Sequence, residues 1–226
     1  MLGVLPCAGE GIRWGRVTKE FIPIGDNRWL VDNTIDAMMH AGVNKLCVVT
    51  LANKIHTLVD HFKKEKYNNC EIFYVIQKKE QSMWEAIKTS FPYTEDVTLF
   101  SMTDTLFNID SFSKYLSLEP HPSFALGTFE TQMAERFGVI TNGKVCDKPV
   151  NYPSGKYLAW GTMIWSKPVV EEWLRWEPGD GAEAINIAVE QFGLHTFPLD
   201  YYYDFASWSD YEAWIRRAGS NPHSPE

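Results

Sequence analysis

The stretch LGVLPCAGEGIRWGRVTKEFIPIG, Leu2 to Gly25, decides how the rest of the chain is read. An apolar run leads into Pro6, and Gly9, Gly11 and Gly15 follow with Arg13 and Lys19 among them. A short buried strand ending in a glycine-rich turn brings backbone N–H groups close to a ligand, because a Cβ at those glycines would block both the turn and the approach. Phosphate suits such a turn. Arg offers phosphate oxygens a planar fork and Lys a mobile point charge, a useful pair when charge shifts during phosphoryl or nucleotidyl transfer. The plainer alternative is a glycine turn flanked by two solvated cations. The stretch is not a Walker loop, since Lys19 is not followed by Ser or Thr. It is not a dinucleotide fingerprint either, since Gly9 and Gly11 lack a third glycine at the expected place.

Working outward, Val31, Ile35, Met38 and Met39 recur at helical spacing, and Gly42 stands where a helix would stop. Lys45–Leu51 reads as a second strand and Glu71–Gln77 as a third. Between them, a helix over about 54–66 carries Ile55, Leu58, Val59 and Phe62 on one face. Such alternation predicts a parallel sheet with helices on both faces, and ligands then bind where loops gather at the carboxyl ends of strands. Val97–Met102 is the next apolar run, followed by Thr103 and Asp104. An acid directly after a buried strand is placed to hold Mg²⁺ against a triphosphate, or else serves as a turn former.

From Ser123 to Trp165 the pattern shortens, and Asn142-Gly143 between Phe137–Ile140 and Val145 predicts a hairpin, hence an antiparallel flap. Ser166 is expected to cap a helix with Pro168 in its first turn, and Asp180 with Glu183 to form a capping box. Ala182, Ile185, Val189 and Phe192 form that second helix's buried stripe. Ser209 and Asp210 are expected to cap a last helix, and the polar tail over 219–226 to fray.

A chain of 226 residues can bury one substantial core. Hydrophobic content of 45% with 22% charged residues is ordinary globular composition. Net charge of −8 and a pI near 5.3 argue against nucleic acid or an anionic membrane as partner. No apolar run approaches the ~20 residues that span a bilayer. The N-terminal apolar stretch runs straight into the glycine turn without a basic leader, so it is expected to be a strand and the protein cytoplasmic. The four cysteines are scattered and expected to be reduced, and the six histidines form no ligand-spaced set. The nine tryptophans are expected in the core or at an interface.

Ala8, Gly9, Gly11, Arg13, Lys19, Glu20 and Pro23 resemble the signature loop of the sugar-phosphate nucleotidyltransferases, the enzymes that make nucleotide sugars. The run Lys19–Thr50 is especially similar to the bacterial UDP-glucose and dTDP-glucose pyrophosphorylases, with a shorter spacer between Arg13 and Lys19. The resemblance covers about residues 2–215. It implies a three-layer α/β/α Rossmann-like fold with a mostly parallel central sheet and a small antiparallel sugar-binding flap. It also implies a single domain over 1–226, its nucleotide-binding half at about 1–120 and its sugar-binding part at about 121–218.

The resemblance further implies roles. Arg13 and Lys19 would face the triphosphate, with Ala8, Gly9 and Gly11 in the loop. Gln77, nine residues before Ala86, would hydrogen-bond the base, beside Ser82 where Gly is usual and Glu80 where Pro is common. Asp104, following Thr103 instead of the usual Gly, and Asp204, with Ala206 in place of a later Gly, would hold Mg²⁺. In AERFGVITNGKVCDKP, Gly138 would let backbone approach the sugar, Lys148 would neutralise its phosphate, and Asp147, where Glu is usual, would accept hydrogen bonds from hydroxyls. Gly161, in Tyr157–Trp165, would leave room for the ring.

The implied reaction joins a nucleoside triphosphate and a sugar 1-phosphate, with Mg²⁺, to a nucleotide sugar and pyrophosphate. No protein nucleophile is needed, since the sugar phosphate is already anionic. Cytidylyl transfer to a non-sugar phosphate or phosphonate is the alternative. A glycosyltransferase would want Asp-x-Asp where the chain has Asp104, Thr105 and Leu106, and a non-catalytic nucleotide sensor could retain much of the pattern. Base, acceptor and any homo-oligomer are left open.

Overall fold

The structure is a computed structural model that describes residues 1–15, 17–25, 27–79, 82–117, 121–149 and 153–220. The Arg13 side chain, Glu80 and the tail from residue 221 lie outside the described residues. The elements in order are β1 (Leu2–Cys7), β2 (Pro23–Gly25), β3 (Arg28–Trp29), α1 (Leu30–His40), β4 (Lys45–Leu51), α2 (Ile55–Phe62), β5 (Glu71–Gln77), α3 (Met83–Ser90), β6 (Thr98–Ser101) and β7 (Thr105–Phe107). There follow α4 (Ser111–Leu116), β8 (Phe124–Thr131), β9 (Gly138–Thr141), β10 (Lys144–Asp147), β11 (Tyr157–Trp165), α5 (Lys167–Trp176), α6 (Gly181–Phe192), β12 (Thr196–Pro198), β13 (Tyr202–Asp204) and α7 (Trp208–Ser220). Among the described residues no helix is long and apolar enough to cross a membrane.

Strands β6, β1, β4 and β5 are neighbours, all parallel. Side-chain alternation divides them between two cores. Leu5 and Cys7 of β1, Leu46 and Val48 of β4 and Leu99 of β6 meet Val31 and Ile35 of α1 and Leu58 of α2 on one face. Leu2 and Val4, Cys47 and Val49, and Phe100 meet Trp84 of α3, Val169 of α5 and Ile185 of α6 on the other. Period-two strands with no polar face require helices on both sides, which gives the three layers. Strand β1 runs through Pro6 to Cys7, although Pro cannot donate to a ladder. The ladder with β6 ends at Val4, and the Pro6 carbonyl accepts from Thr103 Oγ1 (3.3 Å), so no strand on that side needs the missing N–H.

The antiparallel part continues the same nine-stranded sheet. One edge of β11 is shared: Leu158 and Ala159 pair with β9, and Thr162–Trp165 with β6. The register breaks between Trp160 and Thr162, so Gly161 sits where β11 passes from the flap into the parallel half. The expected hairpin turn is present, with Asn142 at φ 52° and Gly143 at φ 73° between β9 and β10. On the outer edge, the Asn186 side chain of α6 pairs with both the N–H (2.8 Å) and the carbonyl (2.9 Å) of Val145, covering an otherwise open strand.

Local expectations fare unevenly. Asp180 accepts from the Glu183 N–H (2.9 Å), while Glu183 reaches back to the Gly179 N–H (2.7 Å). Ser166 stands at the N-cap of α5 but makes no cap bond, because its hydroxyl donates to the Ser123 carbonyl (3.2 Å). Ser209 and Asp210 lie inside α7, not before it. Asp32 of α1 is fully buried and accepts from the Trp29 N–H (2.8 Å), His61 Nε2 (2.8 Å) and the Tyr67 hydroxyl. Burial alone would raise its pKa, but these hydrogen bonds hold it well below the usual carboxylate range and tie α1 to α2.

Candidate active site

The carboxyl ends of β1, β4, β5 and β6 meet in one rim. After β1, Gly11 adopts φ 64°, and a Cβ there would lie 2.2 Å from the Val17 carbonyl oxygen, so the turn requires glycine twice over. The turn then enters a short 3-10 segment, Ile12–Trp14, whose tryptophan is buried. Trp14 Nε1 donates to the Phe205 carbonyl (3.0 Å), and its ring lies 4.5 Å from that of Trp208. With Ile22, Leu30, Leu106 and Tyr211 it builds a small third core that pins the glycine turn to β13 and α7. The expectation of tryptophans in packing holds here, and the packing lies at the rim.

Lys19 opens a second 3-10 turn, and its Nζ makes an ion pair with the Asp104 carboxylate. Burial works to lower its pKa, but Asp104, with Glu20 and Asp204 beyond, outweighs this and holds the ammonium above its ordinary value. Asp204 comes alongside because β13 pairs with β7: Asp204 lies opposite Thr105, and the Phe205 N–H donates to the Asp104 carbonyl (3.0 Å). Burial pushes the Asp204 carboxyl up, nearby Asp104 pushes it further, and Arg136 and Lys19 oppose both. Two acids distant in sequence thus share one field.

Among the described residues no group of three or more His, Cys, Asp or Glu could hold a metal. Two mutually repelling carboxylates nevertheless fit a Mg²⁺ that takes most of its oxygens from phosphates and water, and a dication would relieve their repulsion.

Lys54, after β4, is the main residue that the sequence reading missed. Its Nζ donates to the Gly9 carbonyl (3.0 Å) and to Glu20 Oε1 (2.7 Å), and both side chains are buried, Lys54 8% and Glu20 3% exposed. The lysine braces the glycine loop from beneath. The signal was available, since Lys54 stands at the carboxyl end of a parallel strand as Asp104 does. Burial raises the Glu20 pKa and Lys54 opposes it. Cys7, beside this pair, is buried and its thiol pushed well up, first by burial and then by Glu20, so it offers no nucleophile.

Gln77 ends β5 at 4% exposure, and both of its amide atoms are buried with no hydrogen-bond partner among the described residues. An unsatisfied buried polar atom costs about 1–3 kcal/mol, which a ligand could recover. Ser82 caps α3, its Oγ accepting from the Glu85 N–H (3.3 Å), and Ala86 is buried behind it.

On the flap, Asp147 is exposed and pairs across from Gly138. Lys148 follows at φ 40°, its N–H donating to the Phe137 carbonyl (3.0 Å). Gly138 and Gly161 do not leave open space. A Cβ on Gly138 would lie 2.2 Å from Trp160 Nε1, and one on Gly161 2.3 Å from the Tyr202 ring. The room expected for a sugar is filled by the chain's own aromatics, which need glycine to approach the strands this closely. Arg136, unremarked in the sequence, joins Asp204 Oδ2 (2.7 Å) to Asp210 Oδ1 (2.8 Å).

The nucleotidyl transferase family model matches residues 14–214. No curated protein sequence matches the chain significantly. Among solved structures, one assigned as a glucose-1-phosphate thymidylyltransferase from Bacillus anthracis superposes with a TM-score of 0.83 at 15% identity, covering 100% of this chain and 97% of that one. A UDP-glucose pyrophosphorylase complexed with UDP-glucose gives 0.78 at 21% identity, with 96% and 98% covered. The inositol-1-phosphate CTP transferase from T. maritima gives 0.75 at 19% identity, with 97% and 94% covered. At these identities the structures speak for the fold, and the family match spans most of the sequence: the chain belongs to the nucleotidyl transferase family.

Proposed function

We propose that this enzyme joins a nucleoside triphosphate to a sugar 1-phosphate, releasing pyrophosphate, with Mg²⁺ as cofactor. The observation that carries the proposal is the row of alternating charges at the rim, Lys19 to Asp104 and Asp204 to Arg136, beside the braced glycine loop. An oxygen of the acceptor phosphate attacks the α-phosphorus, the bond from that phosphorus to the β-phosphate bridging oxygen breaks, and pyrophosphate leaves with the electron pair. The acceptor is already anionic, so the protein's work is positioning and charge compensation.

Asp104 and Asp204 are the residues that would hold Mg²⁺, which when bound neutralises and orients the triphosphate. Lys19, freed from Asp104, meets phosphate oxygens, with Arg13 as its partner in the loop. Ala8, Gly9 and Gly11 present backbone to the triphosphate, and Lys54 keeps the Gly9 carbonyl turned away from it. Gln77 reads the base with its two unpartnered amide atoms, and Ser82 fixes the start of α3 beside it. Lys148 and Asp147 face the acceptor, while Gly138 and Gly161 let Trp160 and Tyr202 close the floor beneath it.

Structural likeness to an inositol-1-phosphate CTP transferase keeps a cyclic polyol phosphate as second acceptor class. The test is pyrophosphate release from five nucleoside triphosphates, each with glucose 1-phosphate, other sugar 1-phosphates and inositol 1-phosphate. Release that needs both substrates and Mg²⁺ is expected for a sugar 1-phosphate. Release with inositol 1-phosphate and CTP alone would transfer the protein to the second class, and none with any pair would refute nucleotidyl transfer to these acceptors.

A further inference from the structure

Arg136 is a cation that the reaction above leaves without a substrate role. It closes the 3-10 turn Ala134–Arg136 that leads into the flap strand β9. Its Nη2 donates to Asp204 Oδ2 (2.7 Å) and to the Asp204 carbonyl (3.3 Å). The same fork grips Asp210, Nη1 to Oδ1 at 2.8 Å and Nη2 to Oδ2 at 3.3 Å, and Ser207 Oγ in turn donates to Asp210 Oδ2 (2.8 Å). The two carboxylates differ in what they can do. Asp210 belongs to α7 and is tied down by Ser207, whereas Asp204 stands on the rim with Asp104 and is wanted by the metal. If Asp204 Oδ2 served a metal, one N–H of Nη2 would lose its partner, while Asp210 and the Asp204 carbonyl would still hold the guanidinium in place. The side chain is 25% exposed, so the released N–H is reachable.

The flap carries a second cation, Lys148. The Lys148 N–H is bonded to the carbonyl of Phe137, the residue after Arg136, so both cations leave the same bend of backbone. A planar fork beside an ammonium is a usual pairing for a phosphate monoester.

We propose that Arg136 binds the acceptor phosphate, exchanging Asp204 for a phosphate oxygen when the metal-bound nucleotide takes up Asp204, with Asp210 as the anchor that keeps the guanidinium at the rim. The inference rests on the nucleotidyl-transfer reading and adds to it a residue for the acceptor phosphate. It differs from a purely structural brace, which would hold Asp204 in place for the metal and leave the acceptor untouched.

The experiment compares Arg136→Gln, Arg136→Lys and Asp210→Asn with the unaltered enzyme, using the substrate pair that the pyrophosphate-release test identifies. The readouts are KM for each substrate and Mn²⁺ binding by electron paramagnetic resonance in the presence of an α,β-methylene triphosphate. Arg136→Gln should raise the acceptor KM at least about tenfold, the loss of one charge-assisted hydrogen bond, while the nucleotide KM changes less than about threefold. Mn²⁺ binding should be equal or tighter, and Arg136→Lys should recover part of the acceptor affinity. Weaker Mn²⁺ and nucleotide binding with an unchanged acceptor KM would overturn the proposal and leave Arg136 a brace. Should Arg136→Gln fail to fold, Asp210→Asn decides: a raised acceptor KM supports the exchange and an unchanged one overturns it. An unaltered enzyme that releases no pyrophosphate would instead refute the parent reading, so the two failures are distinguishable.

Discussion

The nucleotide rim and the flap are built on opposite principles. At the rim, charges are buried or half-buried and already paired with one another: Lys54 with Glu20 deepest, then Lys19 with Asp104 and Arg136 with Asp204. On the flap, Asp147 and Lys148 are both exposed, at the end of β10, and the glycines of the neighbouring strands are packed against Trp160 and Tyr202. A paired, desolvated array is costly to build and cannot shift without loss, which suits chemistry common to every substrate of a transferase. Exposed charges on a hairpin end can change at little cost to the fold, which suits discrimination between acceptors. On the proposed function, the contrast would put the transfer chemistry among paired, more buried charges and the choice of acceptor among exposed ones, although one sheet carries both.

The largest effect should come from breaking the brace beneath the loop. Lys54→Met leaves Glu20 buried and unpaired, and should cost about 3–5 kcal/mol in urea unfolding. The double variant with Glu20→Gln should regain most of it; equal instability of single and double variants would mean that the rim does not depend on the pair. Asp104→Asn should lower kcat with Mg²⁺ at least about 100-fold, worth about 2.7 kcal/mol in the transition state, with thermal melting close to the parent. Undiminished turnover would take Asp104 out of the metal's reach.

The flap should respond more mildly. Gly161→Ala drives a methyl into the Tyr202 ring and should destabilise by about 1–3 kcal/mol in the same urea assay. A raised acceptor KM without loss of stability would instead mean that the glycine faces the substrate. The smallest change belongs to Lys148→Ala, expected to raise the acceptor KM about tenfold and leave both stability and nucleotide KM as they were. An effect confined to the nucleotide would erase the division between the two regions.

Much of the frame was legible in advance. Strands β4 and β5 run over Lys45–Leu51 and Glu71–Gln77 as their apolar runs suggest, and Asn142-Gly143 turns the hairpin because both positions need positive φ. Gly11 announced a turn that a Cβ would block, and the Val17 carbonyl is the group that would block it. Other signals misled because tertiary contacts outbid local preference. Pro6 lies past the end of the ladder with β6 while still paired with β4, and the Ser166 hydroxyl is drawn away from its helix by the Ser123 carbonyl just before β8. Gly138 and Gly161 suggest room for a sugar, and sequence could not show that Trp160 and Tyr202 of the same chain pack against them.

The sequence by itself determined what is local and periodic: alternation of strands and helices, the glycine turn, the hairpin, and which acids and bases end a buried strand. Only the tertiary structure decided which of those ends meet. Lys54 finds Glu20 and Gly9, and Arg136 finds Asp204 and Asp210, because strands far apart in the chain finish at one rim. The physical reason is range: backbone preference acts over a few residues, whereas an ion pair acts through space and needs both partners brought out of water together.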